Sequence, residues 1–232
     1  ERAHGDGIMV TPSSPEAMEE SLWMAWFPDT HNPQTSQVLD RDTRRPGLVL
    51  LYAEHLRKVL FVRDRSRYAS KGNYNFTRLP YLQRMFPDAR FVVPIREPVM
   101  HIASLMKQHT LFVQGESKNP RSLVHMQRVG HYEFGLDRRP INIGDNAVIE
   151  SIEQFWATGE EVRGWARYWA HLYGWMADLL DSDAALREAS LVLRYEDLCD
   201  ASDAKLRQLL EKREQMPREG GIDWGLGEIA AF

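Results

Sequence analysis

A single cysteine, Cys199, stands among 232 residues. That excludes a disulfide-stapled scaffold and any multi-cysteine metal site. No apolar run nears the roughly 18 residues that a membrane span needs, and the best is Leu48 to Ala53. The eight histidines show no metal spacing: His125 and His131 lie six apart, and no cysteine or carboxylate completes a set. No metal is therefore expected. Internal repeats and low-complexity tracts are absent too. Lysine is scarce, 6 against 23 arginines, which points to a GC-rich and hence bacterial genome. The first residue is Glu1 rather than Met, so an upstream segment is expected to have been lost.

What remains is a globular composition. Hydrophobic residues make up 43% and aromatics 10%, too many for a disordered chain. The length suits a single α/β domain spanning 1–232. The net charge of −4 hides an asymmetry: Arg57 to Arg96 carries ten basic residues against Asp64 and Asp88, a net +8. A concentrated positive segment in an acidic protein reads as a local anion site, not a nucleic-acid coat, with solvated basic faces as the alternative. No nucleic-acid partner is expected, and a cytoplasmic location is.

Ser13 to Glu16 has the form of a capping box, with a helix running to about Phe27. Asp29 to Arg45 reads as loop, and Leu48 to Val62 as helix on its three-to-four spacing. Arg67 to Ser70 is a short strand candidate. Phe76 to Phe86 is a helix with Leu79, Leu82, Gln83 and Phe86 on one face. Arg90 to Ile95 is a compact apolar strand, and Pro98 opens a helix to about Phe112. Strand, helix, strand, helix is a βαβ unit and implies a parallel sheet. Lys118 to Asn146 is a candidate insertion or lid, with a helix near Ser122 to Tyr132. Glu160 to Leu180 carries a helical stripe through Trp165, Trp169, Leu172, Trp175 or Met176, and Leu179, read as core because it keeps helical period, with a sugar platform as the alternative. Ser190 to Arg194 is a further buried strand, with a helix from about Ala201 to Glu214.

Ligands bind at the carboxyl ends of parallel strands. Lys71 leaves the first strand, Arg96 the second, and Tyr195-Glu196-Asp197 the third. Arg96 with Ser104, two turns into the next helix, can grip one phosphate through a guanidinium fork and a hydroxyl. The alternative pairs Arg96 with Glu97 or Asp88. Lys71 can meet charge developing on a leaving oxygen, or lie free in a loop. Glu19 or Glu20 can act as a general base, or face solvent. Asn75-Phe76-Thr77 is a formal glycosylation sequon, discounted for its place beside Lys71.

Together, Ser70-Lys71-Gly72-Asn73, the run Phe86-Pro87-Asp88-Ala89-Arg90 to Ile95-Arg96-Glu97-Pro98, and Ser104 resemble the sulfotransferases that use 3′-phosphoadenosine 5′-phosphosulfate (PAPS). Leu191 to Leu198 resembles that family's later strand and YEDL segment. The likeness is greatest to bacterial and carbohydrate- or heparan-acting members. It implies a three-layer P-loop-like domain, a central parallel sheet with helices on both faces. It implies Arg96 and Ser104 on the donor's 3′-phosphate, Lys71 at the sulfate-bearing side, and Glu20 as base, with Glu19 second. It also implies sulfuryl transfer to a hydroxyl or amine of a small-molecule or glycan acceptor, leaving adenosine 3′,5′-bisphosphate. The loops 29–45 and 118–146 are expected to shape the acceptor site. The family's first strand and phosphosulfate loop have no counterpart before Glu20, so they are expected upstream. Arg218 to Gly221 is a faint echo of the family's basic loop. Two rivals remain: a P-loop phosphotransferase using Asp197 for Mg²⁺, and a non-catalytic nucleotide-binding domain lacking its loop.

Overall fold

The computed structural model describes residues 9, 11, 19–200 and 229–231. The capping box at Ser13, the helix expected from Ala201 and the basic stretch at Arg218 lie outside the described residues. The chain divides into two compact units. The first takes residues up to Val38 and Pro98–Asp178; the second takes Leu39–Glu97 and the residues from Leu179 on.

The second unit is built on a parallel sheet. Its strands are β1 (Tyr68–Ser70), β2 (Arg90–Ile95), β3 (Ser190–Arg194) and β4 (Ile229–Ala231), in the order β1-β4-β2-β3. Every pairing is parallel, as the βαβ pattern predicts. Helix α2 (Pro46–Arg63) opens with proline in its first turn, where its missing N–H costs nothing. It buries Leu48, Tyr52, Leu56 and Leu60, one face at helical spacing. The segment expected as one helix from Phe76 is two pieces, a 3₁₀ turn at Asn73–Thr77 and α3 (Leu79–Met85). Pro80 has no N–H to carry the ladder back across Arg78, so the helix restarts there. The expected face is still formed: Leu79, Leu82, Gln83 and Phe86 are all buried. Strand β3 is less buried than its apolar sequence suggests. It pairs only with β2 among the described residues, and Val192 is 52% exposed.

The first unit is helical. It contains α1 (Glu20–Trp26), α4 (Pro98–Lys118), α5 (Pro120–Val129), α6 (Asn146–Ala157) and most of α7 (Glu161–Ser182). Helix α4 runs past the expected Phe112 and stops only before Pro120, which disfavours helical backbone in the residue ahead of it. Helix α6 lies where no helix is expected from the sequence; Asp145 accepts the Val148 N–H as its cap, and Ile149 and Ile152 give it a buried face. The short α8 (Ala184–Ala189), in the second unit, likewise starts under a cap from Asp183. Phe112, Phe134 and Trp165 form the core of the first unit, flanked by Leu105, Met106, Trp156 and Tyr168. No helix among the described residues is long and apolar enough to cross a membrane.

Candidate functional site

Lys71 and Arg96 belong to the second unit. Lys71 follows the last residue of β1 and is exposed. Behind it, Gly72 C=O accepts the Asn75 N–H at 3.1 Å, closing the turn into the 3₁₀ segment. A side chain at Gly72 would run into the Asn75 amide at 2.8 Å. Asn75 is itself only 7% exposed, so the sequon's asparagine is enclosed in the folded chain.

Arg96 leaves β2 half-buried. Its guanidinium lies 4.8 Å from the ring centre of Tyr195, the first residue of α9 (Tyr195–Cys199). Pairing with Glu97 or Asp88, the structural alternative, does not occur; no carboxylate among the described residues forms an ion pair with Arg96. The Glu97 N–H instead donates to Glu196 Oε1 at 2.9 Å. That bond is the main reason the Glu196 carboxyl is held below its usual range.

The two cations are not at adjacent strand ends, because β4 lies between β1 and β2. Register sets their offset. Ser70 and Phe91 both face Ala231, so Lys71 leaves the sheet level with Val92, four residues short of Arg96. At strand dimensions that is roughly 13 Å along the strands and about 10 Å across them. Lys71 and Arg96 therefore leave the sheet at separate places.

Glu20 and Ser104 belong to the first unit. Ser104 lies in the second turn of α4, half-buried. Glu20 opens α1, and its Oε1 lies 2.9 Å from His31 Nε2, with the two side chains 15% and 5% exposed. The carboxylate and the imidazole face each other at ion-pair distance. Glu19, the second candidate, is the more buried of the two. The His31 ring packs on Tyr132 at 4.8 Å, and Arg139 caps the other ring at 4.1 Å while donating to the His31 carbonyl.

Gly130 lets α1 approach. It ends α5 with φ +73°, and a Cβ there would sit 2.5 Å from Glu20 Cγ and 2.7 Å from Met24 Sδ. Gly130→Ala adds the left-handed backbone cost of about 1–2 kcal/mol to that collision. A melting point lowered by roughly 2–6 °C is expected in a thermal scan.

The two loops expected to shape the acceptor site are tied together within this unit. Asn142, fully buried, donates to the Pro33 carbonyl at 2.8 Å and accepts the Gly144 N–H at 2.7 Å. Its carbonyl receives the Gln37 N–H at 2.8 Å. Segment 118–146 is held to α4 as well: Leu136 N–H donates to buried Glu116, and Gly135 N–H donates to His109 Nδ1. Burial pushes the His109 imidazole below its ordinary value, which keeps Nδ1 an acceptor. None of His31, Asn142, Glu116 or His109 carries a sequence signal, since each partner lies across a loop.

A family model described as the sulfotransferase family matches residues 11–139, more than half of the chain. The chain belongs to that family. Glu20, Lys71, Arg96 and Ser104 all fall inside the matched span; Tyr195 and Glu196 lie beyond it. No curated protein and no solved structure matches.

Proposed function

We propose that this sulfotransferase-family chain takes PAPS as donor and sulfates a hydroxyl or amine of a small-molecule acceptor, a glycan among the candidates. When bound, PAPS supplies an activated sulfuryl group on a good phosphate leaving group. The observation that carries the reading is Arg96: a half-buried guanidinium at the carboxyl end of a parallel strand, without an ion-pairing carboxylate among the described residues. A cation kept in that state fits an incoming phosphate. Lys71, offset by β4 and by four residues of register, suits the other charged end of an elongated donor.

Each residue then has one task. Arg96 and Ser104 hold the 3′-phosphate, one by charge and one by a hydroxyl hydrogen bond. Lys71 faces the oxygen that gains negative charge as the sulfuryl group departs. Glu20 receives the proton of the acceptor's attacking group on its carboxylate. The tied loops 29–45 and 118–146 shape the acceptor side.

The test is a thermal shift with adenosine 3′,5′-bisphosphate. At about 100 times Kd, linkage stabilises the native chain by about 2.7 kcal/mol. For a chain of this size that raises the melting point by roughly 5–10 °C. The shift is expected in the wild type and should vanish in Arg96→Ala. No shift in the wild type, or an undiminished one in Arg96→Ala, would overturn the assignment.

A further inference from the structure

We propose that the outward side of α2, with the turn that ends it, docks on an anionic lipid surface. Every residue in the argument belongs to the second unit. None of them takes part in the donor site proposed above.

Helix α2 is apolar on two sides, and the fold covers one. Leu48, Tyr52, Leu56 and Leu60 are buried. Leu50, Leu51, Phe61 and Val62 are exposed, Phe61 at 87% and Val62 at 77%. Positions 50, 54, 57, 58 and 61 recur at three and four, so they share one stripe. Exposed apolar side chains scattered singly need no explanation. Here a phenylalanine and a valine stand together at a helix end, with two leucines roughly 16 Å back along the same stripe. A helix apolar on both sides normally has both sides covered.

The charges around that pair identify what covers it. Arg57 and Lys58 precede Phe61 and Val62 by one turn, and Arg63, Arg65 and Arg67 follow them, all exposed. Glu54 and Asp64 are the acids between Leu50 and Arg67, which leaves that stretch at net +3 in a chain of net −4. Glu54 is already engaged, 3.7 Å from Arg57 and 4.0 Å from Lys58. Asp64 ends the helix with left-handed backbone, φ 50°. The Arg65 N–H then closes back on the Leu60 carbonyl at 3.0 Å, so the chain turns beside the last helical turn and keeps its cations there. These five cations are half of the ten between Arg57 and Arg96, and the donor reading uses none of them.

Long cationic side chains around a bulky apolar pair suit a bilayer surface. The cations meet lipid phosphates, and Phe61 and Val62 enter the boundary between headgroups and acyl chains. An acidic protein would match the charge equally. A specific protein contact, however, buries about 800 Å² on each side and seats its aromatic anchors in pockets. A protruding pair on one helix end fits a yielding surface instead.

The experiment is flotation of the purified chain with phosphatidylcholine vesicles, with and without phosphatidylglycerol, in low and high salt. It contains no nucleotide, so its outcome is separate from that of the donor reading. The wild type is expected to float with the phosphatidylglycerol vesicles only, and less in high salt. Phe61→Ser with Val62→Ser should lower partitioning at least about tenfold. Arg63→Gln with Arg65→Gln and Arg67→Gln should lower it about 30–100-fold, at about fivefold per cation. Lys118→Gln with Arg121→Gln and Arg128→Gln removes three exposed cations from the first unit and should stay within about threefold of the wild type. All three variants should melt near the wild-type temperature, because every replaced side chain is exposed. The proposal is overturned if the wild type ignores phosphatidylglycerol vesicles or binds both kinds alike. It is equally overturned if the first-unit variant loses as much as the other two. A chain that leaves vesicles alone but sediments as a dimer, with the dimer lost in the Phe61→Ser and Val62→Ser variant, uses this side for a second copy, and the lipid assignment falls.

Discussion

Glu20→Gln is expected to lower sulfuryl transfer by about 10²–10⁴-fold, the usual contribution of a positioned general base. The measurement is transfer from ³⁵S-labelled PAPS across a panel of hydroxyl- and amine-bearing acceptors, followed by kinetics on the best of them. Glutamine has nearly the shape of glutamate, so it fills the same space above Gly130. It cannot take the acceptor's proton. Its amide still meets His31, but the carboxylate charge that His31 faces at 2.9 Å is gone. Binding of adenosine 3′,5′-bisphosphate should be unchanged, because Arg96 and Lys71 are untouched. The expected pattern is a loss in kcat with donor affinity intact. If Glu20→Gln retains turnover within about threefold, Glu20 is not the base. Glu19, one residue earlier and also buried, then becomes the group to replace.

Strands and long helices were legible because their signals are local. The apolar run Arg90 to Ile95 and the three-to-four spacing of α2 and α7 each specify an element without reference to the rest of the chain. The parallel sheet followed from their order. Arg96 and Lys71 were legible for the same reason, since both are defined by the strand end they follow. What bound them was not. The gap between their strands is filled by β4, which comes from the far end of the chain and whose three residues give no pattern to read. The stacking of Arg96 on Tyr195 joins positions 99 residues apart, and neither type announces its partner. In the first unit, Glu20 could be proposed from its neighbours, but its contact with His31 depends on how a loop without periodicity folds back. Asn142 is the extreme case: an asparagine in a polar stretch reads as surface, yet it is fully buried with its amide engaged by two loops. Asn119, Asp145 and Asp183, the caps of α5, α6 and α8, are by contrast local signals that the sequence displays.

Trp165→Ala is expected to cost about 3–5 kcal/mol, a large share of the roughly 5–15 kcal/mol that holds a domain of this kind together. Trp165 is 1% exposed and sits among Phe134 at 6.1 Å, Trp156 at 5.0 Å and Tyr168 at 6.0 Å. Its removal leaves a void that three rings on two helices and a loop cannot close without leaving their rotamers. A second loss follows from its polar edge. Trp165 Nε1–H donates to Glu161, whose carboxylate is gripped at both oxygens by Arg138 at 2.8 and 2.9 Å. Arg138 in turn lies 5.2 Å from the Trp165 ring centre and 3.9 Å from that of Trp156. The Arg138 bonds hold the Glu161 carboxyl below its ordinary value. Stability from that group is therefore present at neutral pH and lost as pH falls through the lowered value. Arg138 survives the substitution, so this acid sensitivity should persist in Trp165→Ala while the whole stability curve drops. Urea unfolding at pH 7 and in mild acid measures both parts. A drop below about 1 kcal/mol would mean that the first unit does not depend on this ring cluster; equal drops of 3 kcal/mol or more at the two pH values would place the cost in packing, not in the ion pair beside it.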